Sequence, residues 1–221
     1  MSEPRLWGAS RRRRPPLWLQ AFRLALFALI TMAIMFISGF TYLEVRTYSA
    51  PAPRRIYRET PNDWNLAYSD ITFVGDDGLH LSGWYIPSEN GAAVILVHGG
   101  ANGNRLSTGW YATRLAEEGF GVLLYDRRAN GQSEGERNSW GWLDVRDVPG
   151  AVRFLKRQPN VDRIGIFGCS IGGQIALRAA AEIEDIGAVI ADAPSLARIE
   201  DAGPPLDFGD RFFVYPYNWL F

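Results

Sequence analysis

The sequence predicts an α/β fold, a mostly parallel sheet with helices on both faces, preceded by one N-terminal transmembrane helix. Three observations carry this. Four short apolar runs, at 92–97, 122–125, 164–167 and 188–191, read as strands buried on both faces. Stretches between them place apolar residues three or four apart, as on one face of a helix, and strands alternating with helices build a parallel sheet. Residues 24–43 form a run of twenty residues without a charge, which as a helix matches a hydrocarbon core of about 30 Å.

Residues 1–23 are basic, and Arg11 to Arg14 ahead of the apolar run favour a cytoplasmic N-terminus. Arg46, Arg54, Arg55 and Arg58 follow the run and reduce that asymmetry. Trp18, Phe40 and Tyr42 lie where amphipathic rings favour the membrane interface. A cleaved signal peptide is the competing reading, since Ala50-Pro51-Ala52 offers small residues, but the run exceeds the 7–15 residues of a signal's apolar region. The expectation is a single-pass protein anchored in the bilayer through 24–43, with its folded domain outside the cytoplasm. Residues 44–63, rich in Pro and Arg, read as a semi-extended tether, and 64–221 as one folded domain.

Within that domain, the segments 71–74 and 79–86 flank the turn Asp76-Asp77-Gly78 and predict a β-hairpin. Leu106, Trp110 and Leu115 mark the apolar face of a first helix after the membrane span, and Val145, Val148, Val152 and Leu155 that of a second. Ile171, Ile175, Ala179 and Ile183 mark a third. Asp147 is the expected N-cap of the second, which puts Pro149 in its first turn, where a missing N–H costs nothing.

Charge excludes one class of function. Ten Arg against three acidic residues make the first sixty residues basic, while the remainder is acidic. No Lys/Arg stripe exists in the folded part to bind a polyanion, so nucleic acid is not an expected partner. Cys169 stands alone and can form no intramolecular disulfide.

The chemistry centres on Gly168-Cys169-Ser170-Ile171-Gly172-Gly173, which follows a predicted strand and opens a predicted helix. A sharp strand-to-helix turn can present a serine hydroxyl as nucleophile, with glycines leaving room for the tight backbone. The first helical amide, that of Ile171, then faces the place where negative charge develops. Val97-His98-Gly99-Gly100 ends an earlier strand, and a second oxyanion donor is expected at Gly100 or Ala101. His98 is expected to brace this loop through its ring rather than act as the base. Cys169 reads as a small buried neighbour, since no adjacent cation would favour its thiolate.

With Asp126-Arg127-Arg128-Ala129-Asn130-Gly131-Gln132-Ser133-Glu134-Gly135 between them, these motifs resemble α/β-hydrolases of the serine aminopeptidase and lysophospholipase-like kind, over about residues 69–197. The middle segment is similar to the family's D-x-R-G-x-G-x-S-x-G turn, with Ala129 where the family has glycine. That departure is expected to strain the turn mildly, while Asp126 and Arg128 are expected to fix it structurally.

The resemblance implies an acyl-serine intermediate, a small-molecule or lipid-like acyl substrate, and no metal or organic cofactor. It also implies an acid and then a histidine after the nucleophile. No histidine follows Ser170; the chain holds only His80, in the hairpin, and His98. Asp192, after the last predicted strand, is the alternative acid. The remaining strands are expected beyond residue 221, so activity of these 221 residues is expected to be absent or impaired and the strand at 188–191 to be left as an apolar edge. The aromatic tail from Asp207 reads either as the start of a cap or as core surface without its cover. Two functions follow: a membrane-anchored hydrolase of esters, thioesters or amides, or a non-catalytic membrane protein that keeps the fold's front half as a scaffold.

Overall fold

A computed structural model describes residues 15–51, 57–100 and 103–195. Ala101 and the aromatic tail from Asp207, both singled out in the sequence, lie outside these residues. The chain divides into two units, Met1–Thr47 and Tyr48–Phe221.

Helix α1 (Leu17–Tyr48), 32 residues and about 48 Å long, accounts for nearly all the described residues of the first unit, and its last residue, Tyr48, opens the second. It is long and apolar enough to cross a membrane. The helix outruns the charge-free segment at both ends, and residues 44–48, expected in the tether, continue it. The Thr31 hydroxyl donates to the Phe27 carbonyl at 2.9 Å, so this polar group brings its own partner into the apolar stretch.

The second unit is built on a six-stranded sheet. Its strands are β1 (Ser69–Val74), β2 (His80–Ile86), β3 (Ala92–Val97), β4 (Gly121–Tyr125), β5 (Arg163–Cys169) and β6 (Ile186–Asp192). They lie in the order β1-β2-β4-β3-β5-β6. The predicted hairpin is β1–β2, antiparallel, turning at Gly78 with a φ of +86°. β2 meets β4 antiparallel, and β4, β3, β5 and β6 run parallel.

Alternation along the strands sorts their side chains into two cores. Ile95, Val97, Leu123, Tyr125 and Ile166 face helices α3 (Val148–Leu155) and α4 (Ile171–Glu182). Leu96, Val122, Leu124, Trp84 and Phe167 face the side covered by helix α2 (Gly109–Glu117). Fully burying one such aliphatic side chain stabilises the fold by about 1.5–3 kcal/mol, so β3 and β4, buried along nearly their whole length, anchor the domain. Trp84 gathers Tyr57, Trp64 and Tyr68 edge-on around it, which seats the segment ahead of β1 on the sheet.

Three expectations are corrected. Trp110 does not point to the core: it is 67% exposed and lies beneath Arg114 one turn on, while Ala112 takes the buried position. Asp147 does not cap α3, because its carboxylate is buried and bonded to Arg128 instead; Pro149 still falls in the first turn. β6 forms where expected but is not buried on both faces, with Val189 and Ile190 exposed by 40% and 61%. It is the last strand of the sheet and, among the described residues, pairs only with β5.

Position in the sheet defines the site. Strand β3 has β4 on one side and β5 on the other, and the helices that follow β3 and β5 cover opposite faces. In open α/β sheets the crevice beyond the carboxyl ends of two such strands is where ligands bind.

Candidate active site

Val97 of β3 pairs in register with Gly168 of β5, so the segments His98-Gly99-Gly100 and Cys169-Ser170 leave the sheet side by side. Ser170 sits between β5 and α4 with φ 54° and ψ −120°, a conformation costly for any residue but glycine. It is held there by backbone bonds. Its N–H donates to the Asp192 carbonyl at 2.9 Å, and its own carbonyl accepts from Ser195 at 3.0 Å and Gly173 at 2.9 Å. Ser170 is half-buried, so its side chain is not sealed in the interior.

The glycines around it are required by close approach. A Cβ at Gly168 would lie 2.0 Å from the Gly172 oxygen, and one at Gly172 would lie 2.0 Å from the Val97 oxygen. On the facing loop, a Cβ at Gly99 would come within 3.1 Å of the Ser170 Cβ. The β3 loop and the Ser170 turn are thus in van der Waals contact. Ile171 is the first residue of α4, so its amide is among those a helix leaves without an internal partner.

His98 is fully buried and braces the loop, as its ring was expected to do. Its Nε2 accepts the Arg127 backbone N–H at 3.1 Å, which leaves Nδ1–H to donate to the Gly99 carbonyl at 3.0 Å. Burial, with the Arg127 charge adding to it, depresses its pKa to about 3, so the ring stays neutral. With both ring nitrogens engaged, His98 has no free atom to serve as base for Ser170. His80, at the start of β2, contacts Glu134 and takes no part in the crevice.

Beneath the loop lies a network of buried charge. Asp126 accepts from the Arg105 backbone and guanidinium, from the Gln132 N–H and from the Tyr57 hydroxyl. Burial works against its charge, but these donors outweigh it and hold the carboxyl below its ordinary range. Arg128 bridges Asp147 and Asp77. Both residues therefore fix the 126–135 turn. Ala129 within it adopts φ 58°, the strain expected of an alanine at a glycine position.

Asp192 meets Ser170 through its backbone, while its carboxylate accepts the Tyr111 hydroxyl at 3.0 Å. Cys169 is half-buried rather than buried. Arg127, Asp144 and Tyr111 had no role in the sequence. Arg127, fully buried, donates to the Gly100 carbonyl at 2.6 Å and pairs with Asp144. Tyr111 stacks on Phe167 with ring centroids 4.2 Å apart. The available signal for Arg127 was an Arg two residues after a strand without a polar face, where a charge must find partners inside.

A mostly parallel sheet with a strained serine on its strand-to-helix turn and a glycine loop beside it is the architecture of an α/β hydrolase. The family model for serine aminopeptidase, S33, matches residues 88–211, more than half of the chain, and the chain belongs to that family. It is 32% identical over 142 residues to the uncharacterized protein YfhR of Escherichia coli (strain K12), covering 60% of this chain and 49% of that protein. It is also 32% identical over 140 residues to the thiohydrolase aneE of Aspergillus aculeatus, covering 61% and 44%. Among solved structures, an esterase of Pyrococcus furiosus superposes with a TM-score of 0.63 at 28% identity, over 78% of this chain and 66% of that one. The chain spans about half the length of the curated relatives it matches.

Proposed function

We propose that this protein is a membrane-anchored serine hydrolase, held in the bilayer by α1, that cleaves an ester, thioester or amide through an acyl-Ser170 intermediate. The observation that carries the reading is the positive φ of Ser170 on the β5–α4 turn, with Gly99 against its Cβ. In this mechanism Oγ bonds to the acyl carbon while a base takes its proton. The carbonyl electron pair moves onto oxygen, which receives hydrogen bonds from the Ile171 amide and from an amide at Gly100 or Ala101. Collapse expels the leaving group, which takes up the proton, and water then releases the acid from Ser170.

The described residues supply nucleophile and oxyanion elements but no base, since His98 is committed to the loop. The base and its orienting acid are assigned to chain outside the described residues, with Asp192 as the alternative acid. As no histidine follows Ser170 in the 221 residues, these alone should hydrolyse poorly. The similarity to an esterase and a thiohydrolase supports a small or lipid-like acyl substrate.

The locked ring of His98 also favours a second reading, a non-catalytic membrane scaffold. The two separate on one assay. Protein carrying an N-terminal tag, recovered in detergent from its own membranes, should hydrolyse p-nitrophenyl butyrate, and Ser170→Ala should reduce this to background. Hydrolysis unaffected by that substitution, or none at all, would favour the scaffold.

A further inference from the structure

We propose that Arg127 is a positioning residue for oxyanion stabilisation: it holds the Gly100 carbonyl and, through Asp144, couples the β3 loop to the turn packed against Ile171. The inference rests on the reading of Ser170 as the nucleophile.

Arg127 is the second residue after β4 and is fully buried, a costly place for a guanidinium. The hydrogen bonds it donates link the β3 loop to Asp144. The backbone N–H donates to His98 Nε2 at 3.1 Å, one guanidinium nitrogen donates to the Gly100 carbonyl at 2.6 Å, and the other donates to Asp144. His98 in turn engages the Gly99 carbonyl. Two consecutive peptide carbonyls of the loop are therefore fastened, one by the imidazole and one by the guanidinium. A trans peptide points its N–H opposite its carbonyl, so the imidazole's hold on the Gly99 oxygen sets the direction of the Gly100 N–H in the same unit, and the guanidinium's hold on the Gly100 oxygen fixes that residue from its other side. The Gly100 amide is one of the candidate oxyanion donors.

Asp144 extends the connection to the other donor. Its second oxygen accepts the Gly141 N–H at 3.1 Å and the Ser139 hydroxyl. Gly141, at φ +89°, lies so close to α4 that a Cβ on it would stand 3.1 Å from the Ile171 Cγ2. The ion pair thus spans from the Gly100 carbonyl to the residue whose amide opens α4. A lysine cannot reproduce this, because a point ammonium lacks the planar fork that serves a carboxylate and a carbonyl at once.

Negative charge on the substrate oxygen exists only in the transition state and the tetrahedral intermediate, so loosening its donors should lower kcat and leave KM nearly unchanged. Removing one such donor outright costs about 100–1,000-fold in kcat, and misaiming it should cost about 10–100-fold. The test uses detergent-solubilised protein from its own membranes, with p-nitrophenyl butyrate as probe, comparing wild type with Arg127→Lys and Arg127→Met. Amide hydrogen exchange is followed by mass spectrometry on the same samples. The proposal expects the kcat loss with KM within about threefold, and exchange at 98–100 faster in Arg127→Lys while β3, β4 and β5 keep their protection. Unchanged kcat, unchanged exchange at 98–100, or exchange rising equally across the sheet would each overturn it. Ser170→Ala, run in parallel, reports separately on the nucleophile, and the exchange readout does not depend on that result.

Discussion

The backbone N–H of Ser170 donates to the carbonyl of Asp192 at 2.9 Å, so the last residue of β6 clamps the β5–α4 turn in its strained conformation. The strain and the clamp belong together. A residue held at positive φ persists only when its surroundings over-determine it, and here α4 and the chain leaving β6 do so from two sides.

Relieving that strain should stabilise the fold. Ser170→Gly is expected to be more stable than Ser170→Ala by about 1 kcal/mol, since glycine accepts φ 54° without a Cβ penalty and alanine does not. Urea unfolding of the two variants checks this. An alanine variant as stable as the glycine variant would show that the turn is not strained.

The same argument applies to Ala129 in the turn after β4. At φ 58°, Ala129→Gly should stabilise the protein by about 1 kcal/mol and leave the hydrolysis rate unchanged, because the residue touches no reacting group. A loss of stability would mean that the Ala129 methyl contributes more through burial than it costs in conformation.

His98 makes the fold sensitive to acid. Its pKa in the folded state is about 3, against about 6.5 for an unfolded chain, so between these values the unfolded state binds more protons. Its contribution is present above pH 6.5 and is lost as pH falls toward 3, at up to about 1.4 kcal/mol per pH unit. Asp126 and Asp77, both held below the usual carboxylate range, add losses of the same sign at the acid end. His98→Asn should flatten the dependence between pH 6.5 and 4, measured by denaturant unfolding across that window. Parallel curves for the two proteins would show that the ring is not held neutral.

The sequence discloses most of the strand framework because β3 and β4 are apolar at successive positions, a pattern that only two-sided burial produces. It places Ser170 on the strand-to-helix turn because the flanking glycines answer a backbone demand that the structure shows as contacts of 2.0 Å. Trp110 misleads, since helical spacing marks a face but cannot tell a core aromatic from one lying under an arginine. Asp147 misleads in a different way. Its place before a helix suits a cap, but Arg128, nineteen residues earlier and buried, competes for the carboxylate and wins. Arg127 escapes for the same reason: its partners Gly100 and Asp144 are distant in sequence, and no local pattern announces them.

The central claim is that the hydroxyl at position 170 is a reactive nucleophile. N-terminally tagged protein from its own membranes, treated with an alkyl fluorophosphonate and digested with trypsin, should carry the phosphonyl adduct on the peptide 164–178, at Ser170. Peptide recovered unmodified, or an adduct that persists on that peptide in Ser170→Ala, would contradict it.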